Sequence, residues 1–138
     1  MTASPPKYLI HHHLSRHPHF DLRLEVEGVL KSWAVPKEPS LDPKVKRLAL
    51  EVEDHPLAYA DFEGFIPEGQ YGAGQVYLWD QGTYENLLAQ KPNPQTMSEA
   101  LAQGRVEVRL SGRRRQGNFA LIRLKGKPNQ WLFFKIRD

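Results

Sequence analysis

The chain has 138 residues, the length of a single domain with a real core, and its lack of cysteine excludes disulfides and thiolate metal sites. Its net charge of +3 permits an anionic partner without requiring one. No segment reaches the roughly 18 apolar residues of a membrane span, and residues 1–7 lack the apolar run of a signal peptide, so the cytoplasm is the expected compartment. We expect a flexible lead over residues 1–7 and one domain over residues 8–138.

The elements, taken in chain order, are mostly short strands separated by turn signals. The predicted strands are residues 8–12, 20–26, 29–35, 47–53, 75–79, 83–85, 105–110, 118–124 and 131–136. Met97–Gln103 is the one predicted helix, and Gly104 ends it. Strands in this number, without a βαβ rhythm, predict a mainly β fold that is either an antiparallel barrel or a sandwich.

The patterns of the first and second strands predict which residues share a face. In the first strand, Leu9 is expected on one face, with His11 and His13 on the other. The second strand is expected to bury Phe20, Leu22, Leu24 and Val26. Its partner strand follows the turn signal Glu27-Gly28.

Later segments carry further structural expectations. The fourth strand is expected to bury Leu48, Leu50 and Val52. Tyr59–Gly74 is glycine-rich but holds aromatic residues that can pack, which predicts an ordered loop. Asp80–Gly82 is expected to be a turn between two strands, and residues 86–96 to be irregular.

The polar face of the second strand offers ligands for a metal ion. His19 and Asp21 share that face, and His13 lies one loop away. Two imidazoles and a carboxylate leave coordination positions open, as a catalytic site needs, and such donors suit Mn, Fe, Co or Zn. The alternative is that the triplet 11–13 is a tag remnant or a solvated tract and that His19 only caps a strand. We favour a metal site at His13, His19 and Asp21.

Basic and aromatic residues could bind an anion beside that face. Arg23 either pairs with Asp21 or clamps an anionic substrate. His55 and Tyr59 could converge on one pocket, where His55 would act as acid, base or hydrogen-bond donor. The alternative is a turn histidine and a half-buried tyrosine. By spacing alone, the charged residues Lys37 and Arg47 are solvated surface groups.

Three other motifs have structural interpretations. Arg113–Arg115 is a hairpin tip that is either solvated or in contact with a nucleic-acid backbone. Trp33, Trp79 and Trp131 lie in strand patterns and are expected in the core. The segment Ile66–Gly74 matches neither a P-loop nor a Rossmann fingerprint, so we reject a nucleotide-binding loop of either kind.

Five motifs agree in order and spacing with one known family. They are His17-Pro-His19-Phe-Asp21-Leu-Arg23-Leu-Glu25, Gly28-Val-Leu-Lys-Ser-Trp-Ala-Val-Pro-Lys37, Arg47-Leu-Ala49, Val52-Glu-Asp-His55-Pro-Leu-Ala-Tyr59-Ala-Asp-Phe-Glu-Gly64 and Ile66-Pro-Glu-Gly-Gln-Tyr-Gly-Ala-Gly74. With these motifs the chain closely resembles the 3′-phosphoesterase domain of bacterial ATP-dependent DNA ligase D. The resemblance is dense from about residue 8 to 85 and weaker in the last strands.

The resemblance implies a compact, closed antiparallel β-barrel of about eight strands with one short helix. It also implies a DNA 3′-end-healing activity that depends on a divalent metal, with Mn²⁺ preferred and Co²⁺, Zn²⁺ or another divalent cation as alternatives. Family members trim a 3′-terminal ribonucleotide in a phosphodiesterase step and then remove the remaining 3′-phosphate. The implied partners are DNA or RNA-tipped 3′ ends at a primer–template, with DNA ligase, polymerase and end-binding proteins of non-homologous end joining.

By matched position, the resemblance also implies roles for individual residues. The implied metal ligands are His13, His19 and Asp21. The implied catalytic residues around the scissile phosphate are Arg23, Lys37, Arg47, His55 and Tyr59. Of these, the phosphate itself would be bound by Arg23, His55 and Tyr59.

Two departures from the family pattern affect these expectations. His11 stands where family members commonly carry glutamine, so it could replace a supporting polar contact or compete for the metal. Only seven residues precede the first predicted strand, whereas family domains usually have a charged N-terminal arm that assists the diesterase step. We therefore expect a stand-alone domain that retains the monoesterase step and has a weak or differently specified diesterase step.

The expected mechanism is hydrolysis by direct attack of water, because no nucleophilic serine or cysteine is evident; a histidine nucleophile stays open. One competing function is a non-haem iron oxygenase that uses His19, Asp21 and His55, and it predicts oxygen-dependent activity. The other is a non-catalytic module that binds DNA ends, and it predicts binding that is indifferent to chelator and to loss of His19.

Overall fold

The computed structural model describes residues 4–138, which form nine strands and one α-helix. The strands are β1 (Lys7–Leu14), β2 (His19–Val26), β3 (Val29–Val35), β4 (Arg47–Pro56), β5 (Gly64–Ile66), β6 (Gly74–Asn86), β7 (Arg105–Ser111), β8 (Gln116–Arg123) and β9 (Gln130–Lys135). The helix α1 spans Met97–Gln103, and two short 3₁₀ helices span Leu57–Asp61 and Leu87–Gln90. Within the described part of the chain, no helix has the length and apolarity needed to cross a membrane. Of the predicted lead, residues 1–3 lie outside the described residues, and Lys7 belongs to β1.

Eight of the strands form a closed antiparallel barrel. Neighbouring strands pair in the order β1-β2-β3-β4-β9-β8-β7-β6, and a further pairing of β1 with β6 closes the cylinder. The short strand β5 pairs antiparallel with the first residues of β6. This architecture confirms the predicted mainly β fold with one short helix, and it decides the barrel over the sandwich.

The alternating pattern of β2 positions both the core and the polar face, as predicted. Phe20, Leu22 and Leu24 join the buried core of the barrel. In the same core the Trp33 and Trp131 rings meet edge to face at 5.8 Å, whereas Trp79 is only partly buried. Burial of each large side chain contributes about 1.5–3 kcal/mol to the free energy of unfolding. The opposite face of β2 is left for the candidate site.

The hairpin that joins β2 to β3 turns at Glu27 and Gly28, as predicted. Both residues have positive φ, 50° and 82°, which is the geometry of a two-residue hairpin turn. The resulting register places Arg23 opposite Ser32 and Asp21 opposite Ala34. The turn therefore sets the register that brings the Ser32 side chain of β3 next to Arg23 on the polar face of β2.

The predicted faces of β1 were wrong. Leu9 and His11 lie on the same face, because side chains two residues apart on a strand point the same way. Leu9 packs in a cluster with Ala60 and Tyr59, and His11 meets the Tyr59 ring edge to face at 5.2 Å. Both residues thus lie beneath the 3₁₀ segment Leu57–Asp61.

The predicted inward face of β4 was also wrong. Leu48, Leu50 and Val52 are 38%, 36% and 37% exposed, whereas Ala49 is fully buried. Ala49 pairs with Trp131, whose indole occupies the interior beside this strand, so only a small side chain has room there. Glu51 shares that face, and its carboxylate accepts a hydrogen bond of 2.9 Å from the Trp131 indole N–H.

The predicted turn at Asp80–Gly82 was wrong, since β6 runs unbroken for 13 residues. Asp80 is buried, and its carboxylate accepts hydrogen bonds from the Tyr8 hydroxyl and from the backbone N–H groups of Arg113, Arg114 and Arg115. Gly82 lies against the Ser111 carbonyl, where a Cβ would clash. Turn-forming residues here serve close packing between strands rather than a reversal of the chain.

The predicted helix is confirmed at both ends. Thr96 and Glu99 form a capping box, with reciprocal hydrogen bonds of 3.1 and 2.9 Å. Gly104 has a φ of 84°, the left-handed conformation that ends many helices. The predicted loop Tyr59–Gly74 is ordered and contributes β5, while the irregular segment before the helix includes the 3₁₀ turn Leu87–Gln90.

Candidate active site

The hairpin of β1 and β2 brings three candidate metal ligands together. His13 pairs directly with His19 across the hairpin, and Asp21 follows on the same face of β2. The Asp21 carboxylate lies 3.2 Å from His19 Nε2 and 3.8 Å from His13 Nδ1. The ligand atoms of the three residues all lie within 4.8 Å of one another. These three side chains could therefore hold one metal ion.

Hydrogen bonds to the backbone fix the orientation of both imidazoles. His13 Nε2 lies 2.7 Å from the Gly72 carbonyl, and His19 Nδ1 lies 2.8 Å from the His17 carbonyl. A carbonyl oxygen only accepts, so each of these nitrogens carries a proton and donates. The other nitrogen of each ring is left to face Asp21. Histidines that ligate metals are oriented in this way, so the donor set fits a divalent cation.

Charges around Asp21 favour its ionised form. Burial pushes the pKa of the carboxyl up, but the hydrogen bond from His19 and the charge of Arg23 outweigh burial and hold the pKa below its usual value. The same hydrogen bond, which His19 donates to the Asp21 carboxylate, raises the pKa of His19, against the effect of burial. Asp21 is thus a carboxylate at neutral pH, as a metal ligand must be.

Arg23 lies next to the candidate metal ligands and is almost fully buried, with 3% of its side chain exposed. Its Nε donates to His11 Nδ1 at 3.0 Å, and its Nη1 donates to the Ser32 hydroxyl at 2.8 Å. Its Nη2 lies 3.4 Å from the Asp21 carboxylate. A buried guanidinium that is held on several sides is suited to binding a phosphate in a fixed position.

His55 and Tyr59 converge on Arg23. His55 Nδ1 lies 3.1 Å from Arg23 Nη1, and the guanidinium carbon lies 5.0 Å from the centre of the Tyr59 ring. Burial, helped by the charge of Arg23, lowers the pKa of His55, which is therefore neutral at pH 7. Burial also raises the pKa of Tyr59, against the effect of Arg23, so the phenol keeps its proton.

His55 Nδ1 has a second neighbour, the Glu53 carbonyl, also at 3.1 Å. A neutral imidazole nitrogen either donates or accepts, so only one of the two contacts is a hydrogen bond at a time. If Nδ1 accepts from Arg23, the proton lies on Nε2. The choice of partner thus decides whether His55 offers a donor or an acceptor from Nε2.

These residues share one cavity of about 750 Å³. Of the predicted site residues, its walls include His13, His19, Asp21, Arg23, His55 and Tyr59. Lys37 and Arg47 are not among its lining residues: Lys37 is exposed on the loop after β3, and the Arg47 Nε donates to the Glu38 carbonyl at 2.8 Å. Catalytic roles for these two residues stay predictions.

Sequence reasoning missed two residues of the site. Ser32 is buried beside Arg23, and only the β2–β3 register reveals that its hydroxyl faces the guanidinium. Gly72 supplies the carbonyl that orients His13, and a Cβ there would lie 3.5 Å from the His13 ring. The sequence shows the glycine-rich loop around Gly72, but it does not show that this loop contacts His13 of β1.

The backbone of the arginine triplet Arg113–Arg115 is held by contacts within the protein. Its three N–H groups bond to Asp80, and the Arg114 and Arg115 guanidiniums each lie 4.9 Å from the centre of the Trp79 ring. Arg115 also donates to the Pro39 carbonyl at 2.8 Å. The tip is therefore an ordered part of the barrel.

Most of the chain, including this site, matches the model of a known protein family. Residues 11–123 match the family model described as the DNA Ligase D 3′-phosphoesterase domain. That match includes every residue that lines the cavity, from His13 to Ala73.

Relatives of the chain are multifunctional non-homologous end joining proteins named LigD. The chain is 49% identical over 134 residues to the protein of Pseudomonas aeruginosa. The aligned region covers 96% of the chain and 15% of the relative. The chain is 44% identical over 138 residues to that of Mycobacterium tuberculosis, covering 100% of the chain and 17% of the relative. It is 41% identical over 137 residues to that of Mycolicibacterium smegmatis, and the aligned region covers 99% of the chain and 18% of the relative. The chain thus spans less than a fifth of these relatives.

Proposed function

The chain belongs to the DNA Ligase D 3′-phosphoesterase domain family, and on that premise we propose that it is a metal-dependent phosphoesterase that heals DNA 3′ ends. The proposed main reaction removes a 3′-phosphate to leave a 3′-hydroxyl, and the proposed second reaction is hydrolysis of the phosphodiester beside a 3′-terminal ribonucleotide. The observation that carries the proposal is the placement of three metal ligands directly beside a buried Arg23 in one cavity.

The proposed metal is held by His13, His19 and Asp21. Their nitrogen and oxygen donors fit Mn²⁺, with Co²⁺ or Zn²⁺ as alternatives. Bound there, such a cation supplies Lewis-acid polarisation of a phosphate oxygen. The His17 and Gly72 carbonyls keep the two imidazoles turned toward the ion.

The side chains of the cavity would stabilise the charge that develops on the phosphate during attack by water. Arg23 offers a fixed cation, and when His55 Nδ1 accepts from Arg23 rather than donating to the Glu53 carbonyl, the proton on Nε2 is a donor to the phosphate. Tyr59 keeps its phenolic proton and lines the same cavity. Removing one such donor costs about 10²–10³ in kcat in other enzymes.

The proposed substrates are 3′ ends at primer–templates during non-homologous end joining. The names of the relatives support this context, because each is a multifunctional protein of that pathway. Ligase and polymerase activities, with end-binding proteins, are the proposed partners that would use the 3′-hydroxyl.

The test uses a 5′-labelled primer–template that carries either a 3′-phosphate or a 3′-terminal ribonucleotide. The protein is incubated with Mn²⁺, Co²⁺, Zn²⁺, Mg²⁺ or chelator, and the end groups are followed on a denaturing gel. We expect phosphate release with Mn²⁺, none with chelator, and loss of release in His19→Ala and Asp21→Ala.

The matched control is His17→Ala, whose side chain lines the same cavity but is exposed and lies outside the metal group. It is expected to retain activity, because only its backbone carbonyl is used. Wild-type turnover by both His19→Ala and Asp21→Ala would overturn the metal assignment. DNA binding without chemistry, unaffected by chelator, would instead support the non-catalytic end-binding function.

A further inference from the structure

His11 lies at the centre of β1 and is completely buried, yet it is not one of the three metal ligands. Both of its ring nitrogens have partners. Nε2 lies 2.9 Å from the Phe62 carbonyl, and Nδ1 lies 3.0 Å from Arg23 Nε. Because the carbonyl can only accept, Nε2 carries the proton and Nδ1 presents a lone pair to the guanidinium.

This arrangement leaves His11 no free lone pair for a metal ion. The Nδ1 lone pair is occupied by Arg23, and the proton on Nε2 blocks that nitrogen. Burial and the neighbouring charge of Arg23 lower the pKa of His11 to about 4, which agrees with a neutral ring. Competition for the metal is thus excluded by the hydrogen bonds of the ring.

The hydrogen bond to His11 Nδ1 is one of several contacts that hold the Arg23 guanidinium in place. A guanidinium has five N–H bonds, one on Nε and two on each Nη. The Nε hydrogen goes to His11, the two Nη1 hydrogens face Ser32 and His55, and Nη2 lies beside Asp21. Three of the five are thereby directed to protein groups, whereas Nη2 is paired with Asp21 by charge and keeps its hydrogens for a ligand in the cavity.

We propose that His11 is a positioning residue that holds the Arg23 guanidinium by accepting a hydrogen bond from its Nε. The role deepens the proposed phosphoesterase function and rests on it. A planar guanidinium that is fixed at Nε and Nη1 cannot rotate about its last side-chain bonds. Its Nη2 group therefore stays aimed at the position that the phosphate oxygen would occupy, before any substrate binds.

The role requires one acceptor and one donor on two atoms joined through a single carbon of the side chain at position 11. Glutamine offers such a pair in its amide group, whereas leucine offers similar volume and neither function. His11→Gln and His11→Leu therefore separate hydrogen bonding from packing. The matched control is the same pair of changes at His12, which stacks on Phe20 at 4.2 Å and takes no part in the Arg23 contacts.

We expect His11→Leu to lower kcat for release of a 3′-phosphate by about 10- to 100-fold, with a smaller change in KM, because a misplaced group costs up to that factor. His11→Gln should restore most of the loss. In an Arg23→Lys background, which lacks Nε, His11→Leu should cause no further decrease. An equal loss of kcat in the Leu and Gln variants, or additive losses with Arg23→Lys, would overturn the proposal.

A second measurement needs no substrate or metal. In ¹⁵N-resolved NMR spectra, the Arg23 Nε–H should exchange slowly with solvent in the wild type and His11→Gln, and the wild-type His11 ring should be protonated at Nε2 alone. A proton on Nδ1 would overturn the proposal even if His11→Leu does not fold. If the wild type shows these signals but releases no phosphate, the proposed function fails and the positioning contact stands.

Discussion

Tyr59 shows how one side chain of the site combines packing with chemistry. Its ring stacks on Phe62 at 4.9 Å, tilts against His55 at 4.9 Å and lies under the Arg23 guanidinium. These contacts need only an aromatic ring, whereas the proposed contact with phosphate needs the hydroxyl. The two contributions can therefore be separated by removing one oxygen atom.

We predict that Tyr59→Phe keeps the melting temperature of the wild type and lowers kcat for 3′-phosphate release by about 10-fold or more, since a hydrogen bond to a charged group contributes about 1.5–3 kcal/mol. Steady-state kinetics and thermal unfolding measure both effects. Tyr71→Phe is the control, because Tyr71 lines the same cavity but is 95% exposed. Full activity of Tyr59→Phe would remove the hydroxyl from the mechanism.

At the scale of elements, strand β6 depends on a buried carboxylate. Asp80 lies in the middle of β6 and binds the N–H groups of the hairpin tip between β7 and β8. The same carboxylate accepts from the Tyr8 hydroxyl of β1 at 2.8 Å. One residue thus connects β1 and β6 with the β7–β8 hairpin, which are distant in sequence.

Asp80→Asn is expected to lower the free energy of unfolding by about 3 kcal/mol, because an amide replaces one acceptor oxygen with N–H donors that face other donors. Urea unfolding followed by fluorescence gives the value. The control Asp61→Asn changes an exposed carboxylate and should alter stability by less than about 0.5 kcal/mol. Equal stability of the two variants would show that Asp80 does not hold the hairpin tip.

At the scale of the whole molecule, closure of the barrel assembles the site. The candidate metal ligands come from β1 and β2, and His55 comes from the end of β4. The Phe62 and Gly72 carbonyls reach β1 from the segment that leads into β6. Because the Gly72 carbonyl that orients His13 reaches the β1–β2 hairpin only in the folded barrel, metal binding should be linked to global stability.

The expected result is that Mn²⁺ at 100 times its dissociation constant stabilises the folded protein by about 2.7 kcal/mol and raises the melting temperature by roughly 10 °C. Differential scanning calorimetry with Mn²⁺ and with chelator measures the shift. Asp21→Ala should show no metal-dependent shift. A shift of equal size in Asp21→Ala would mean that the ion binds elsewhere.

The sequence by itself determined the elements whose signals are local. The alternation of Phe20–Val26 defined β2 and its polar face, Glu27 and Gly28 defined the hairpin turn, and Gly104 defined the end of α1. Five spaced motifs determined the family. Such features are readable because each depends on neighbouring residues and on the two-residue period of a strand.

Only the tertiary structure decided questions that depend on distant partners. The period of β4 groups its residues into two faces, but Trp131 of β9 decides that Ala49, not Leu48 or Leu50, turns inward. Likewise, Asp80 forms part of a strand because the distant hairpin tip at Arg113–Arg115 satisfies its carboxylate. The hydrogen-bond partners of His11 follow from closure of the barrel, since the register of paired strands and the available space exist only once the chain has folded.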